Sequence, residues 1–149
     1  MITIKKFSVQ LVKESSKKYD IIDRNIGSTS KAKEVFEQVL SMSDKPYEVF
    51  AMMTLDVKNN VTGVFEVTSG ILDSSQVHPR EVFQRAILQN AARIIIGHNH
   101  PSGDVQPSKD DINVTKRLVS AGELLGIKIV DHIIIGDKKC LSFREECLM

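Results

Sequence analysis

The chain has 149 residues, which suits one domain with a core of ordinary size. Hydrophobic residues make up 42% and charged residues 26%, and the net charge of +1 gives no global electrostatic reason to expect nucleic acid or an anionic membrane as a partner. No apolar run approaches the roughly 18 residues of a membrane span, and the N-terminus lacks the apolar segment of a secretory signal. We therefore expect a cytoplasmic protein whose Cys140 and Cys147 remain inert thiols.

The chain divides into an N-terminal extension over residues 1–27 and a domain over residues 28–149. Apolar and polar residues alternate patchily from Ile4 to Val12, which predicts an edge strand protected by neighbouring lysines. Hydroxyl side chains over 28–30 can cap the first helix of the domain.

Apolar periodicity and turn residues predict the elements of the domain. The predicted helices cover 31–42, 79–90 and 109–125. The predicted strands cover 48–55, 61–68, 93–97, 127–135 and 140–143. The first two strands flank a polar turn and should form a hairpin. This order predicts an α/β fold in which helices pack on the faces of a mixed sheet.

Two histidines, His98 and His100, come at the end of the apolar strand 93–97. Residues i and i+2 of an extended chain point the same way, so both imidazoles should lie on one side. Asp111 lies in the first turn of the next predicted helix, from which its carboxylate can supply a third ligand. Three protein ligands leave one position of a tetrahedral zinc open, which is typical of a catalytic site.

The same residues have a second interpretation that needs no metal. Ser108 and Asp111 have the spacing of a capping box at the start of a helix, and the carboxylate can serve only there. His98 and His100 are then ordinary loop histidines, although this chain has only 4 histidines and two of them lie in this motif. The residues alone leave both interpretations open.

The spacing of this motif resembles that of a known family of metalloenzymes. The pattern His98-x-His100-Pro101, with Ser108 and Asp111 downstream, resembles the JAMM motif of the JAB1/MPN/Mov34 metalloenzymes. The whole string from His98 to Asp111, together with His78-Pro79-Arg80-Glu81-Val82-Phe83 and Asp131-His132-Ile133-Ile134, is similar to the RadC branch of that group. The resemblance covers residues 28–145.

The resemblance implies a fold similar to that of cytidine deaminases, with zinc held by His98, His100 and Asp111. It further implies a glutamate from an upstream strand as general base, and Ser108 as a residue that helps hold the oxyanion. Members with the full motif are zinc peptidases or isopeptidases. RadC-like proteins also have a DNA-repair label, and many have a helix-hairpin-helix segment before this domain, for which we expect too few residues upstream here.

Three upstream glutamates are candidates for the base. Glu48 opens the first hairpin strand beside a buried run and matches the upstream glutamate of the family best, so we predict Glu48. Glu66 lies inside the second strand and reads more naturally as a solvent-facing residue. Glu81 lies in the first turn of a helix, where a carboxylate is favourable without any catalytic role.

Other polar residues near these motifs are expected to have mainly structural roles. Asp131 and His132 are expected to form a satisfied buried His–Asp arrangement, with a supporting or substrate role as the alternative. Ser102 is expected to shape a turn, and His78 either shapes a substrate groove or starts a helix.

Two functional classes follow. The first is a zinc metallopeptidase that hydrolyses a peptide or isopeptide bond with a zinc-activated water. The second is a non-catalytic accessory domain that binds DNA or a repair or replication protein, which the full ligand set argues against. The H-x-E with P-C-x-x-C pattern of zinc deaminases and the HExxH pattern of other zinc peptidases are both absent from the sequence.

Overall fold

The computed structural model describes residues 1–21, 23–70 and 77–149 and confirms the predicted α/β class. Its helices are α1 (Thr29–Leu40), α2 (Pro79–Leu88) and α3 (Lys109–Leu125), with a short 3₁₀ turn at Met42–Asp44. Its strands are β1 (Glu48–Leu55), β2 (Val61–Gly70), β3 (Arg93–Asn99), β4 (Lys128–Ile135) and β5 (Cys140–Ser142). Within these ranges, no helix has the length and apolar character needed to cross a bilayer.

The strands form one mixed sheet in the order β2-β1-β3-β4-β5. The predicted β1–β2 hairpin is present, and β1 also pairs with β3 in the antiparallel sense. The β3–β4 pair is parallel, and α3 makes the crossover between these two strands. Because β3 has a neighbour on both sides, its carboxyl end lies in the middle of the sheet rather than at an edge.

Helices cover both faces of the sheet, as the alternation of buried side chains requires. On the α1 face, the side chains of α1 pack on one set of strand residues, which are Val49, Ala51, Met53, Leu55, Ile95, Ile133 and Ile135. On the α2–α3 face, the other two helices pack on the alternate set, which is Phe50, Met52, Ile94, Ile96 and Ile129.

Gly97 shows how tightly α1 packs against the centre of the sheet. A Cβ atom added there would lie 2.8 Å from Cε2 of Phe36, whose side chain is fully buried. Such a distance is too short for a real contact, so the ring of Phe36 occupies the space that any other side chain at 97 would need. The glycine before His98 therefore fixes the separation between α1 and β3.

Two sequence-based predictions need correction. The predicted edge strand over 4–12 is wrong: residues 1–21 contain neither helix nor strand, and Ile4, Phe7 and Val9 are exposed. Lys5 and Lys6 interrupt the alternation, and a lone extended segment without a paired neighbour has no ladder to stabilise it. The strand predicted over 93–97 continues to Asn99, because its pairing with β4 extends through His98 and Asn99.

Candidate metal centre

His98, His100 and Asp111 converge at the carboxyl end of β3. His98 follows Ile94 and Ile96 on the α2–α3 face and is 2% exposed, and His100 lies just beyond the strand. Asp111 reaches the same place from the first turn of α3. Each of the three offers a ligand atom, and these atoms lie within 4.8 Å of one another.

The three side chains face each other through their ligand atoms. The Nε2 atoms of His98 and His100 are 2.9 Å apart. Asp111 places Oδ1 3.3 Å from Nε2 of His98 and Oδ2 3.5 Å from Nε2 of His100. Two imidazole nitrogens and a carboxylate are a donor set that suits zinc.

A chain of hydrogen bonds fixes which nitrogen of His98 carries its proton. Thr115 donates its hydroxyl proton to the Asp111 carbonyl oxygen over 2.6 Å, so its oxygen accepts from Nδ1 of His132, also over 2.6 Å. Nε2 of His132 must then accept from Nδ1 of His98, 2.8 Å away. Nε2 of His98 is therefore left with its lone pair, directed at the other ligand atoms.

His100 reaches the same protonation state by a different route. Its Nδ1 lies 2.6 Å from the carbonyl oxygen of Asp104, which can only accept, so Nδ1 is the donor. Two imidazole lone pairs and a carboxylate thus meet at close range, and this arrangement calls for a positive charge between them. The residues fit a metal cation because His132 and the Asp104 carbonyl, which both lie outside the cluster, fix the tautomers that metal ligands need.

The charges of the cluster act on each other's protonation. When His100 is protonated, its Nε2 can donate to Asp111, and this bond is the main reason that the pKa of His100 is raised, which burial partly opposes. Burial alone would raise the pKa of Asp111, but its bonds to His100 and His98 outweigh burial and hold it well below its usual range. Burial is the main reason that the pKa of His132 lies well below its ordinary value. His132 therefore stays neutral, as a hydrogen-bond acceptor must.

The capping interpretation and the ligand interpretation turn out to be compatible. Oδ2 of Asp111 accepts from the Ser108 backbone N–H over 2.7 Å, and Oγ of Ser108 accepts from the Asp111 backbone N–H over 3.0 Å. The same carboxylate therefore completes a capping box and faces both histidines. The cap orients Asp111 for the cluster, and Oγ of Ser108 is an acceptor in it, so the cap does not use the hydroxyl proton of Ser108.

Among the candidate bases, Glu48 lies nearest the cluster by strand register. Phe50 and His98 form the last pair of the β1–β3 ladder, and Glu48 lies two residues beyond this pair, on the same side of β1 as Phe50. Glu48 is half-buried, and its charge contributes to the raised pKa of His100. Its role as general base stays a prediction.

The other two glutamates lie in settings that explain them structurally. Glu66 is exposed and pairs with Ala51, a residue of the α1 face, before a register shift brings Thr68 opposite Phe50. Glu81 lies in the first turn of α2, where it faces Arg85 at 3.5 Å and Arg80 at 3.8 Å.

Two residues beside the cluster escaped the sequence analysis. Thr115 is fully buried and holds His132, and its spacing of one helical turn from Asp111 is the signal that could have found it. Asn99, between the two histidines, is 1% exposed and binds the backbone on both sides of Glu48. A buried asparagine between two site residues is itself a signal, but its partners lie some 50 positions away in the sequence.

Asp131 and His132 are both buried and hydrogen-bonded, as expected, but their side chains do not pair with each other. These neighbours in β4 point to opposite faces, and Asp131 accepts from the backbone N–H of His132 and from the hydroxyl of Ser142. The ring of His132 instead joins His98 to Thr115, which was the alternative role.

The remaining polar residues have local roles. Ser102 accepts from the Asp104 backbone N–H within a turn, and Nδ1 of His78 accepts from that of Arg80 at the start of α2. Cys140 and Cys147 are free thiols, and burial raises the pKa of Cys140, which makes it less reactive.

Comparison with known proteins identifies the family. A family model described as "RadC-like JAB domain" matches residues 26–148. A UPF0758 protein of Clostridioides difficile is 51% identical over 102 residues, which are 68% of this chain and 43% of that protein. UPF0758 proteins of Clostridium beijerinckii (49% over 108 residues, 72% of this chain and 47% of the relative) and Moorella thermoacetica (52% over 102 residues, 68% and 44%) are similar. The matched stretch spans less than half the length of these relatives. The chain belongs to the RadC-like JAB family of the JAB/MPN superfamily.

Proposed function

We propose that this domain is a zinc-dependent hydrolase of amide bonds, either a metallopeptidase or an isopeptidase. His98, His100 and Asp111 would hold the zinc ion. The convergence of two imidazole lone pairs and a carboxylate, with both tautomers fixed from outside, carries the proposal. A zinc ion bound by three protein ligands supplies a Lewis acid and a water whose pKa is lowered toward ~7. Family membership supports the same assignment.

The remaining chemistry belongs to two side chains of this chain. Glu48, at the start of β1 and two residues beyond the pair Phe50–His98, takes a proton from the attacking water and passes it to the leaving amine. Ser108 donates its free hydroxyl proton to the oxygen on which negative charge develops. Since Ser108 stands at the N-cap of α3, the positive end of that helix adds to the stabilisation of this oxygen.

The substrate that these groups suit is a peptide or isopeptide, and we place the activity in the cytoplasm, where the free thiols would stay reduced. The DNA-repair association of RadC-like proteins would then describe where the substrate is found rather than what the site binds. A net charge of +1 offers no strong attraction to nucleic acid.

Metal analysis tests the metal first. We expect purified protein loaded with zinc to hold one ion per chain, and the His98→Ala, His100→Ala double variant to hold none. If the wild-type protein takes up no zinc, or if the double variant retains zinc, the proposal is rejected. DNA binding that is sensitive to salt and survives the same substitutions would support the accessory-domain alternative instead.

Turnover then tests the base. We expect zinc-loaded protein to cleave members of a pooled set of internally quenched peptides, half of them joined through a lysine ε-amide. Glu48→Gln should keep the zinc and lose turnover by a factor on the order of 100 to 10,000, as removal of a general base does. Glu66→Gln is the matched control, since Glu66 is an exposed glutamate on β2. Equal turnover of Glu48→Gln and the wild type would reject Glu48.

A further inference from the structure

We propose that Asn99 is a positioning residue whose carboxamide fixes Glu48 opposite the two histidines. The inference rests on the proposed function, because it assigns Asn99 an effect on the base of that reaction. It concerns the central residue of the His98-Asn99-His100 string, whose side chain is directed away from the metal cluster by the alternation of the strand.

The contacts of Asn99 bracket Glu48 on the main chain. Its Oδ1 accepts from the Val49 backbone N–H over 2.7 Å, and its Nδ2 donates to the Tyr47 carbonyl oxygen over 3.0 Å. These two peptide groups are the immediate neighbours of Glu48 on either side. With both held, the backbone at Glu48 has little freedom to rotate, and the direction in which its Cα–Cβ bond leaves the strand is set.

The sheet itself does not provide this restraint on the β3 side. Over the described parts of β1 and β3, the ladder between them ends at the pair Phe50–His98. The backbone N–H of His100 turns to the other neighbour and donates to the Ile135 carbonyl oxygen of β4 over 2.9 Å. Beyond this last pair, the side chain of Asn99 supplies bonds from β3 to the backbone on either side of Glu48.

The chemistry of the contact demands a carboxamide. One atom must accept from an N–H and the other must donate to a carbonyl, and both lie in a buried setting where an unpaired polar group is costly. Alanine supplies neither bond. Aspartate keeps the acceptor for Val49 but sets a second oxygen against the Tyr47 carbonyl. The two substitutions thus remove the clamp completely and by half.

The first part of the test measures the clamp without using activity. In zinc-loaded protein, we expect amide hydrogen exchange at Val49 to rise about tenfold or more in Asn99→Ala and less in Asn99→Asp, as loss of a buried hydrogen bond predicts. Zinc should remain at one ion per chain in both. Thr54→Ala is the matched control, since Thr54 is a fully buried, hydrogen-bonded residue at the opposite end of β1. It should leave exchange at Val49 unchanged.

The second part measures the consequence for Glu48. With the peptide pool, Asn99→Ala should lower kcat by a factor on the order of 100 with little change in KM, the size of effect expected when a catalytic group is displaced by about 1 Å. Asn99→Asp should fall between Asn99→Ala and the wild type, and Thr54→Ala should match the wild type. In the Glu48→Gln background, Asn99→Ala should lower the residual turnover no further, because it acts through Glu48.

Three results would overturn the inference: unchanged exchange at Val49, a wild-type kcat in Asn99→Ala, or loss of zinc from both Asn99 variants. The last would mean that Asn99 supports the histidines rather than Glu48. Should Asn99→Ala fail to fold, Asn99→Asp carries the same comparison. Should wild-type protein bind zinc but cleave nothing, the proposed function fails, whereas the exchange measurement still decides whether the clamp exists.

Discussion

The two faces of the sheet treat the same strand in opposite ways. On the α1 face, β3 presents Ile95 and then Gly97, against which Phe36 packs without a gap. On the α2–α3 face, it presents Ile94 and Ile96 and then changes to His98, which enters a buried polar chain with His132 and Thr115. A buried polar chain contributes little net stability even when it is satisfied. Both faces bury an apolar core, but only the carboxyl end of β3 on the α2–α3 face exchanges apolar packing for a polar cluster.

The largest effect that should separate the two faces is the loss of Phe36. Phe36→Ala leaves a cavity beneath the centre of the sheet and should lower the free energy of unfolding by about 3–5 kcal/mol. Urea titration of the metal-free protein measures this change. Chains that remain folded should still bind one zinc ion. A loss below about 1 kcal/mol, or failure of folded chains to take up zinc, would show that the faces are not separable in this way.

The next effect tests the close approach at Gly97. Gly97→Ala forces a methyl group against the Phe36 ring and should cost about 1–3 kcal/mol of unfolding free energy. Phe36→Leu in the same chain should recover part of this cost, since it removes ring atoms at the point of contact. If the double variant is less stable than the sum of the single losses predicts, the strain lies in the backbone of β3 instead.

On the polar side, the sharpest test is Thr115→Val. It keeps the shape of the side chain but breaks the bonds to His132 and to the Asp111 carbonyl, so the tautomer of His98 is no longer fixed. Zinc affinity, measured by competition with a chelator, should weaken about 10- to 100-fold. Thr29→Val is the control, because Thr29 donates to Glu145 on the α1 side of the molecule. Equal zinc affinity in Thr115→Val and Thr29→Val would contradict the relay.

The smallest effect is a pH dependence of the metal-free protein. The pKa of His100 is raised above its ordinary value of 6.5, so His100 stabilises the fold fully at a pH below 6.5. This contribution is lost as the pH rises through the raised pKa. The lowered pKa of Asp111 stabilises it above 3.8, and this is lost as pH falls. The difference in stability between wild type and Asp111→Asn should therefore be greatest between these two values. A difference that grows above pH 7 would contradict the pairing.

The elements of the fold could largely be predicted from local sequence, but not where each one ends. Apolar periodicity marks α3 and β4, and Ser108 and Gly126 mark the ends of α3. The length of β3 depends on its neighbours, since β4 continues the ladder through Asn99. The strand prediction for the segment from Ile4 to Val12 was wrong because this segment has no neighbouring strand among the described residues. Alternation creates a strand only where another strand is available to pair with it.

In the site, too, local sequence predicts some of the residues, and others depend on parts of the chain that are distant in sequence. The ligands His98, His100 and Asp111 could be predicted because they lie within one strand–loop–helix stretch, where spacing determines direction. Asn99 could not be given its role, because its partners, Tyr47 and Val49, become neighbours only when β1 joins β3. A direct pairing of the side chains of Asp131 and His132 could have been excluded from the sequence, since adjacent residues of a strand point to opposite faces.

The placement of the ligands and of Glu48 on different parts of the chain has a consequence for assembly. From His98 to Asp111 the chain closes only a short loop, which costs little entropy, and none of the three candidate ligands belongs to the β1–β2 hairpin. Glu48 arrives only when β1 docks on β3 and Asn99 closes on it. On the proposed function, a chain in which β1 has not yet docked would lack its base, and it would be unable to cut neighbouring peptides until folding is complete.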